Sequence, residues 1–380
     1  MTRNNIAMRN KIEANVESIA HSYTRTQDSM TRSEIVIREL DQDYSSAWDE
    51  FVRNAPGGLP LHLSRWQQVM KKTYGYSTRY LMAQRGNEIC GVLPLFAVRS
   101  RLTGKRLMTT PGGLCALDEE TAIQLLEHAE QVALDLRLKS VVIQDSRQLW
   151  PQEWQSESDH VFWLLTLPEE EEALWSQLDS NIRRQVRKAR KNRLRAEVDR
   201  SGALLPAFYD MFSRFTHQVG TPVFGYEFLA NVIEAFPGGY NIALVWHDDV
   251  VAAGYFQLEM GDTMYGMWGA ALPEFLRLRS AYLSLWEIMS DAINHGFTYL
   301  DMGRSPAGSN ASKFKGQWGG QSAPVYQLTW RENGQNGAAT VTNQVKSDQR
   351  FQLFTQVWPK LPYSLTTRLG PRLRWHIPFA

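Results

Sequence analysis

YNIALVWHDDVVAAGYFQLEMGDTMYGMWG, residues 240–269, is the stretch on which the fold turns. Three apolar runs, Tyr240–Trp246, Val250–Glu259 and Thr263–Trp268, are separated only by His247-Asp248-Asp249 and Met260-Gly261-Asp262. Short polar turns between strand-length apolar runs predict an antiparallel meander. Working outward, a strand at Leu194–Val198 and helical patterns at Ala203–Val219 and Tyr226–Phe236 precede it. A helix at Ser280–Asn294, stopped by Gly296, and strands at Thr298–Met302 and Val325–Thr329 follow it.

The same order is legible upstream. It runs strand Glu34–Arg38, helices Tyr44–Asn54 and Ser64–Thr73, strands Arg79–Gln84, Glu88–Arg99 and Lys105–Thr110, helix Glu119–Leu136, then strands Ser140–Asp145 and Val161–Leu167. The repeat is one of element order and not of residues. Two copies of one α/β unit are therefore expected, each a mixed, mostly antiparallel sheet flanked by helices. The divisions are a mobile tail over 1–33 with a weak helix near Ile6–Ile19, a first domain over 34–167, and an acidic-then-basic connection over 168–193. A second domain follows over 194–330, then a linker and an aromatic, basic tail over 331–380. Residues 34–167 and 194–330 are expected to superpose as separate units; one continuous sheet across both would contradict that.

Composition narrows the class. The chain has 380 residues, 43% hydrophobic and 21% charged, as in soluble globular proteins of two domains. Net charge is +1, from 41 basic and 40 acidic residues, so attraction to polyanions has to come from local clustering. Cys90 and Cys115 are the only cysteines, which excludes a disulfide scaffold and a cysteine-based zinc site. No apolar run is long enough for a spanning helix, and no leader is apparent, so a cytoplasmic protein is expected. Neither histidines nor carboxylates fall at recognised metal spacing, so no metal and no tightly bound cofactor are expected.

Three segments could carry chemistry. Asn181–Arg195 holds eight cations, Arg183, Arg184, Arg187, Lys188, Arg190, Lys191, Arg193 and Arg195, and no acid. Guanidinium forks at this density suit phosphate oxygens; the alternative is a solvated face balanced by Glu169–Glu172. Asp301-Met302-Gly303-Arg304-Ser305 follows a strand, where Arg304 could orient a carboxylate or phosphate beside Asp301 and Ser305, or simply pair with Asp301. Lys313-Phe314-Lys315 opens a helical turn that Trp318-Gly319-Gly320 closes. His217 is the one histidine placed where it could act as a base, and a structural role fits it better.

The element order resembles the GNAT acyltransferase fold, so the implied architecture is tandem GNAT-like domains. Arg214–Trp330 resembles the FemAB-type acyltransferases, in particular the group associated with exopolysaccharide and exosortase loci. The matching stretches are Gly220-Thr221-Pro222-Val223, Ala252-Ala253-Gly254-Tyr255, Asp301–Ser305 and Lys313-Phe314-Lys315-Gly316-Gln317-Trp318-Gly319. Weaker matches are Leu59–Leu95 and, in the tail, Trp358-Pro359-Lys360-Leu361-Pro362 with Leu369-Gly370-Pro371.

The resemblance implies acyl or aminoacyl transfer to a cell-envelope or exopolysaccharide precursor, as in peptidoglycan-bridge chemistry. Lys315 would stand at the transfer site and stabilise an oxyanion, with Arg304 orienting a substrate. Phe314, Asp301, Ser305, Trp318, Arg183, Arg187 and Lys188 would bind substrate, the basic segment near a sugar pyrophosphate. The donor would be aminoacyl-tRNA or acyl-CoA. GNAT enzymes hold the coenzyme A pyrophosphate in a glycine-rich turn, whereas this chain reads Arg277-Leu278-Arg279-Ser280-Ala281-Tyr282 there. Implied partners are a phosphate-bearing sugar or lipid-linked precursor and tRNA, for a monomer with peripheral contact at the inner membrane face. The tail would meet lipid there or pack its tryptophans back onto the domains. Competing readings are an acetyl-CoA-dependent N-acetyltransferase of a sugar or small amine, and a non-catalytic polyanion-binding protein.

Overall fold

Residues 240–269 form three antiparallel strands in the computed structural model, which describes residues 34–100, 104–148, 154–332 and 349–377. The expected N-terminal tail and most of the linker after Trp330 lie outside the described residues. The first half runs β1 (Ile35–Glu39), α1 (Ser45–Asn54), α2 (Trp66–Tyr74), β2 (Ser77–Arg85), β3 (Glu88–Ser100), β4 (Gly104–Thr109), the short β5 (Cys115–Ala116), α3 (Glu119–Asp135), β6 (Ser140–Ser146) and β7 (Gln155–Thr166). The connection folds into α4 (Glu171–Gln177) and α5 (Ser180–Lys191). The second half repeats the order: β8 (Leu194–Asp199), α6 (Leu205–Gln218), α7 (Tyr226–Ala235), β9 (Tyr240–His247), β10 (Val250–Met260), β11 (Thr263–Ala271), α8 (Ser280–Asn294) and β12 (Tyr299–Pro306). After it come α9 (Asn310–Gly316), β13 (Gln321–Arg331), α10 (Gln349–Val357) and α11 (Tyr363–Arg374).

Local chemistry accounts for the element boundaries. Asp118 caps α3 by accepting from the Thr121 amide at 2.8 Å, and Glu119 and Glu120 lie in the first turn, where the helix dipole favours acids. The β2–β3 hairpin turns through Gly86 at φ +61°, a conformation that a Cβ would oppose.

The expectation of two separate sheets fails. The strands form one continuous sheet in the order β1-β2-β3-β4-β6-β13-β7-β12-β11-β10-β9-β8, with β5 off its path beside β3. The physical reason is strand exchange. β7, the last strand of the first half, pairs with β12, while β13 returns to pair with β6. The exchanged strands then pair with each other, from Gln321 opposite Leu164 to Thr329 opposite Gln155. Each half thus completes its sheet with the other's final strand, and the order reads the same from either edge. A cut at 167 would leave β7 with neither of its neighbours.

Parallel pairing occurs at β4–β6 and β11–β12, the corresponding places in the two halves; every other neighbour is antiparallel. The core divides by sheet face. α3 covers one cluster in the first half, and α4, α5 and α8 cover another in the second. On the opposite face a single cluster spans both halves: α2 packs on α7, and the Trp66 ring lies 5.5 Å from Phe236 and 6.3 Å from Phe228. Burying such an indole is worth a few kcal/mol.

The tail packs back, the second of its two expected placements. Trp358 is buried, and Thr366 Oγ1 meets His217 Nδ1 at 3.0 Å. Trp375 reaches the first half, where its indole donates to the Tyr74 carbonyl at 2.8 Å and its own carbonyl accepts from the Tyr76 hydroxyl. No helix among the described residues is long and apolar enough to cross a membrane.

Candidate functional site

The two parallel pairs are short, and each opens into a gap. β11 and β12 stay paired only from Thr263 opposite Tyr299 to Tyr265 opposite Asp301. Beyond that point β12 shifts register against β7 between Asp301 and Arg304. Gly303 sits there at φ +72°, and a Cβ on it would come within 2.6 Å of the Gly266 carbonyl oxygen. Only glycine fits without opening the strands further.

Lys315 fills this gap from α9. Ser309 caps that helix through the Ser312 amide at 3.1 Å. Phe314 packs edge-on against Tyr282 of α8, ring centroids 5.0 Å apart, with Trp318 beside both. So anchored, Lys315 Nζ donates to the carbonyls of Gly303 at 2.9 Å and Arg304 at 3.0 Å. Burial pushes the ammonium down to about 8; Asp301 opposes that shift and Arg304 adds to it. In the first half the corresponding gap is closed by backbone, the Gly112 amide donating to the Gln144 carbonyl at 2.9 Å. Asp145, at φ +50°, there stands where Gly303 stands in the second.

A cavity of about 270 Å³ opens between the halves on the face shared by α2 and α7. Its polar end carries two crossed ion pairs. Arg304 Nη1 meets Asp145 Oδ1 at 2.7 Å, and Arg147 meets Asp301. The local Arg304–Asp301 pair considered above is not what forms. Asp301 is buried and also accepts from the Gly303 amide at 2.7 Å. The Arg147 guanidinium lies 4.1 Å over the Phe162 ring. Asp145 Oδ2 is buried and has no hydrogen-bond partner among the described residues. Tyr265 joins this end, its phenol raised by burial. On the opposite face a narrow pocket reaches Lys315 among Tyr255, Leu285, Ile288 and Met302. Gly266 and Asp301 line both spaces, and Lys315 lines the second.

Of the residues anticipated from sequence, the fold therefore gathers Lys315, Arg304 and Asp301. It does not bring the others to the cavity. Ser305 is buried in the β12–β7 ladder opposite Val161. Phe314 and Trp318 hold α9 against α8 and so support Lys315. Arg183, Arg187 and Lys188 line neither space. α5 buries Ile182, Val186 and Ala189 on the side of α8, and that orientation turns its cations outward. Their compensation also differs from the reading above: Arg190 pairs with Glu287 at 3.2 Å, and Arg187 lies 5.3 Å over the Trp175 ring. Glu171 instead accepts from Ser290.

Sequence reasoning missed Asp145, Arg147, Tyr265 and Arg374. The last projects from the tail helix into the cavity wall. A signal existed for the first two, because Asp145-Ser146-Arg147 ends the strand that corresponds in the repeat to the one carrying Gly303-Arg304-Ser305.

With this geometry in view, the comparisons place the fold. Residues 176–316 match the family described as acetyltransferase (GNAT) domain. The solved structure of FemX is similar at a TM-score of 0.60 and 16% identity, covering 78% of this chain and 98% of that one. A C-terminal domain assigned to a lysylphosphatidylglycerol synthetase of Agrobacterium fabrum is similar at 0.52 and 11%, covering 80% and 96%. A conserved protein of unknown function from Bacteroides thetaiotaomicron is similar at 0.51 and 11%, covering 78% and 99%. No curated protein matches the sequence. The architecture is thus a tandem GNAT-like α/β fold with exchanged terminal strands.

Proposed function

We propose that this chain is an acyl- or aminoacyltransferase that modifies an amine on a cell-envelope or exopolysaccharide precursor. The observation that carries the reading is Lys315, held by two backbone carbonyls in a pocket on one sheet face that shares Gly266 and Asp301 with the cavity on the other. The acceptor enters the inter-half cavity, and the donor's acyl carbonyl comes from the α8–α9 side. The amine nitrogen attacks that carbonyl, a C–N bond forms, and the C–S bond of a thioester or the C–O bond of an aminoacyl ester breaks. Asp145 Oδ2, poised at the cavity, takes the amine's proton, and the leaving sulfur or oxygen departs with a proton in turn. Lys315 donates to the oxyanion that develops between these steps.

The GNAT match favours acyl-CoA as donor, and aminoacyl-tRNA remains the alternative. Either is a polyanion, which gives the basic helix a role on the donor side. Asn192, at the end of α5, donates to the Leu278 carbonyl at 3.1 Å, so those cations end beside the start of α8. The FemX and lysylphosphatidylglycerol synthetase likenesses support the cell-envelope setting. The test is transfer itself: the full chain is incubated with labelled acyl-CoA or charged tRNA and amine-bearing envelope precursors, and the label is followed. Donor-dependent labelling of a precursor is the expected result. Its absence with both donor classes refutes the proposal.

A further inference from the structure

The acceptor can be narrowed from the cavity wall, given the reading above that this cavity is the acceptor site. Tyr74, Phe212, Phe224, Phe228 and Trp268 belong to its apolar part, together with Leu59, Leu61 and Met267. The three phenylalanines have no polar atom to offer. A sugar pressed against them would strip water from its hydroxyls without replacing the hydrogen bonds, which disfavours it. An apolar body gains there instead, because its surface leaves water. The space of about 270 Å³ lies just below the roughly 300–1,000 Å³ typical of drug-sized sites, which suits a small molecule better than a whole nucleotide-sugar.

The charged part has the opposite character. Arg147, Arg304 and Arg374 line it together with Asp145 and Asp301, three cations against two anions, an excess of one positive charge. Arg374 is buried at the end of α11, where its Nε donates to the Pro222 carbonyl at 2.8 Å. Burial pushes its guanidinium down to about 10, and the Arg304 charge contributes to that shift. Two like charges on one small cavity are eased by an anion between them.

We infer that the acceptor moiety is a small amphiphile, an apolar body bearing an amine next to a carboxylate, the chemistry of a large apolar amino acid. The ring or branched alkyl group rests on the phenylalanines, the carboxylate lies toward Arg304 and Arg374, and the amine faces Asp145.

Titration calorimetry on the full chain tests this without any donor, using L-phenylalanine, 2-phenylethylamine, which lacks the carboxylate, and glucosamine 6-phosphate, which lacks the apolar body. L-phenylalanine is expected to bind at least tenfold more tightly than either. Arg304→Gln is expected to weaken L-phenylalanine at least tenfold without weakening 2-phenylethylamine, whose amine faces the Asp145 that Arg304 otherwise pairs. Should that variant fail to fold, Arg304→Lys, which keeps the charge but loses the fork, is expected to give a smaller loss of the same pattern. Equal binding of L-phenylalanine and 2-phenylethylamine, or preference for glucosamine 6-phosphate, overturns the inference. Failure of the two proposals is separable: selective L-phenylalanine binding with no transfer removes the transferase reading alone, whereas transfer to a sugar amine without L-phenylalanine binding removes this one alone.

Discussion

Replacing Lys315 by Met tests the proposed transfer site most directly, because stability and catalysis should respond differently. The side chain keeps most of its length and its apolar stem, so the lost charge is the main variable. The interval between about 8 and the ordinary 10.5 means that burying the ammonium costs the native state about 3 kcal/mol. Removing it relieves that cost but leaves the Gly303 and Arg304 carbonyls without this donor, at roughly 1–3 kcal/mol each. The two effects are similar in size, so the unfolding free energy should move little at neutral pH. Catalysis has no such compensation. Loss of one preorganised oxyanion donor lowers kcat about 100- to 1000-fold, or about 2.7–4 kcal/mol, with substrate affinity nearly kept. The pH dependence has a definite sign. The folded-state pKa lies below the unfolded one, so between about 8 and 10.5 the unfolded chain binds more protons. Native stability therefore gains a term rising with pH across that window, which Lys315→Met lacks. Turnover that depends on the ammonium falls as pH rises through about 8. Exposed Lys313→Met is the control and should be silent. Steady-state kinetics with urea melts would refute the reasoning if Lys315→Met kept full turnover, or if wild-type kcat rose through pH 8.

Other outcomes follow from the same structure. Asp301→Asn breaks the buried pair with Arg147 and should cost about 3–5 kcal/mol in urea denaturation, because a partly buried guanidinium loses its counter-charge. Arg187→Ala with Lys188→Ala should weaken donor binding in a salt-dependent way and leave acceptor binding unchanged; calorimetry showing no salt dependence would remove the phosphate role. Residues 34–167 expressed alone should be insoluble and should regain solubility when co-expressed with 168–380, since β7 finds both of its neighbours only there. A soluble, cooperatively melting 34–167 would contradict the exchange.

Much of the fold was legible because it rests on local periodicity. The meander at 240–269 and its counterpart at 79–110 have apolar runs and turns that admit few alternatives, and Gly296 ends α8 where expected. The exchange of β7 and β13 was not legible. Both runs read as strands from their own residues, but nothing local to Val161–Leu167 states whether its partner is β6 or β12. The site divides in the same way. Lys315 and Arg304 lie in short segments with marked glycines, whereas Asp145 and Arg147 come from the other half and meet them only through the sheet. The basic segment shows the converse case. Its charge was plain, but its direction was set by Ile182, Val186 and Ala189, which bury against α8 and carry the arginines away from the cavity.

The strand exchange and the site are parts of one design. β6 and β12 each end in a register shift beside an exchanged strand, so the polar residues that terminate them converge on the seam between the halves. Arg304 then pairs with Asp145, and Arg147 with Asp301, each pair joining one half to the other. Because the seam is continuous sheet, the halves cannot hinge apart there without breaking ladder hydrogen bonds, so the cavity's charged end is held in fixed geometry. The gaps, by contrast, have diverged. Backbone closes the first, and a lysine reaches the second. That asymmetry is what confines acyl transfer, in the reading proposed here, to the second half, while the first contributes Asp145 and Arg147 to the acceptor.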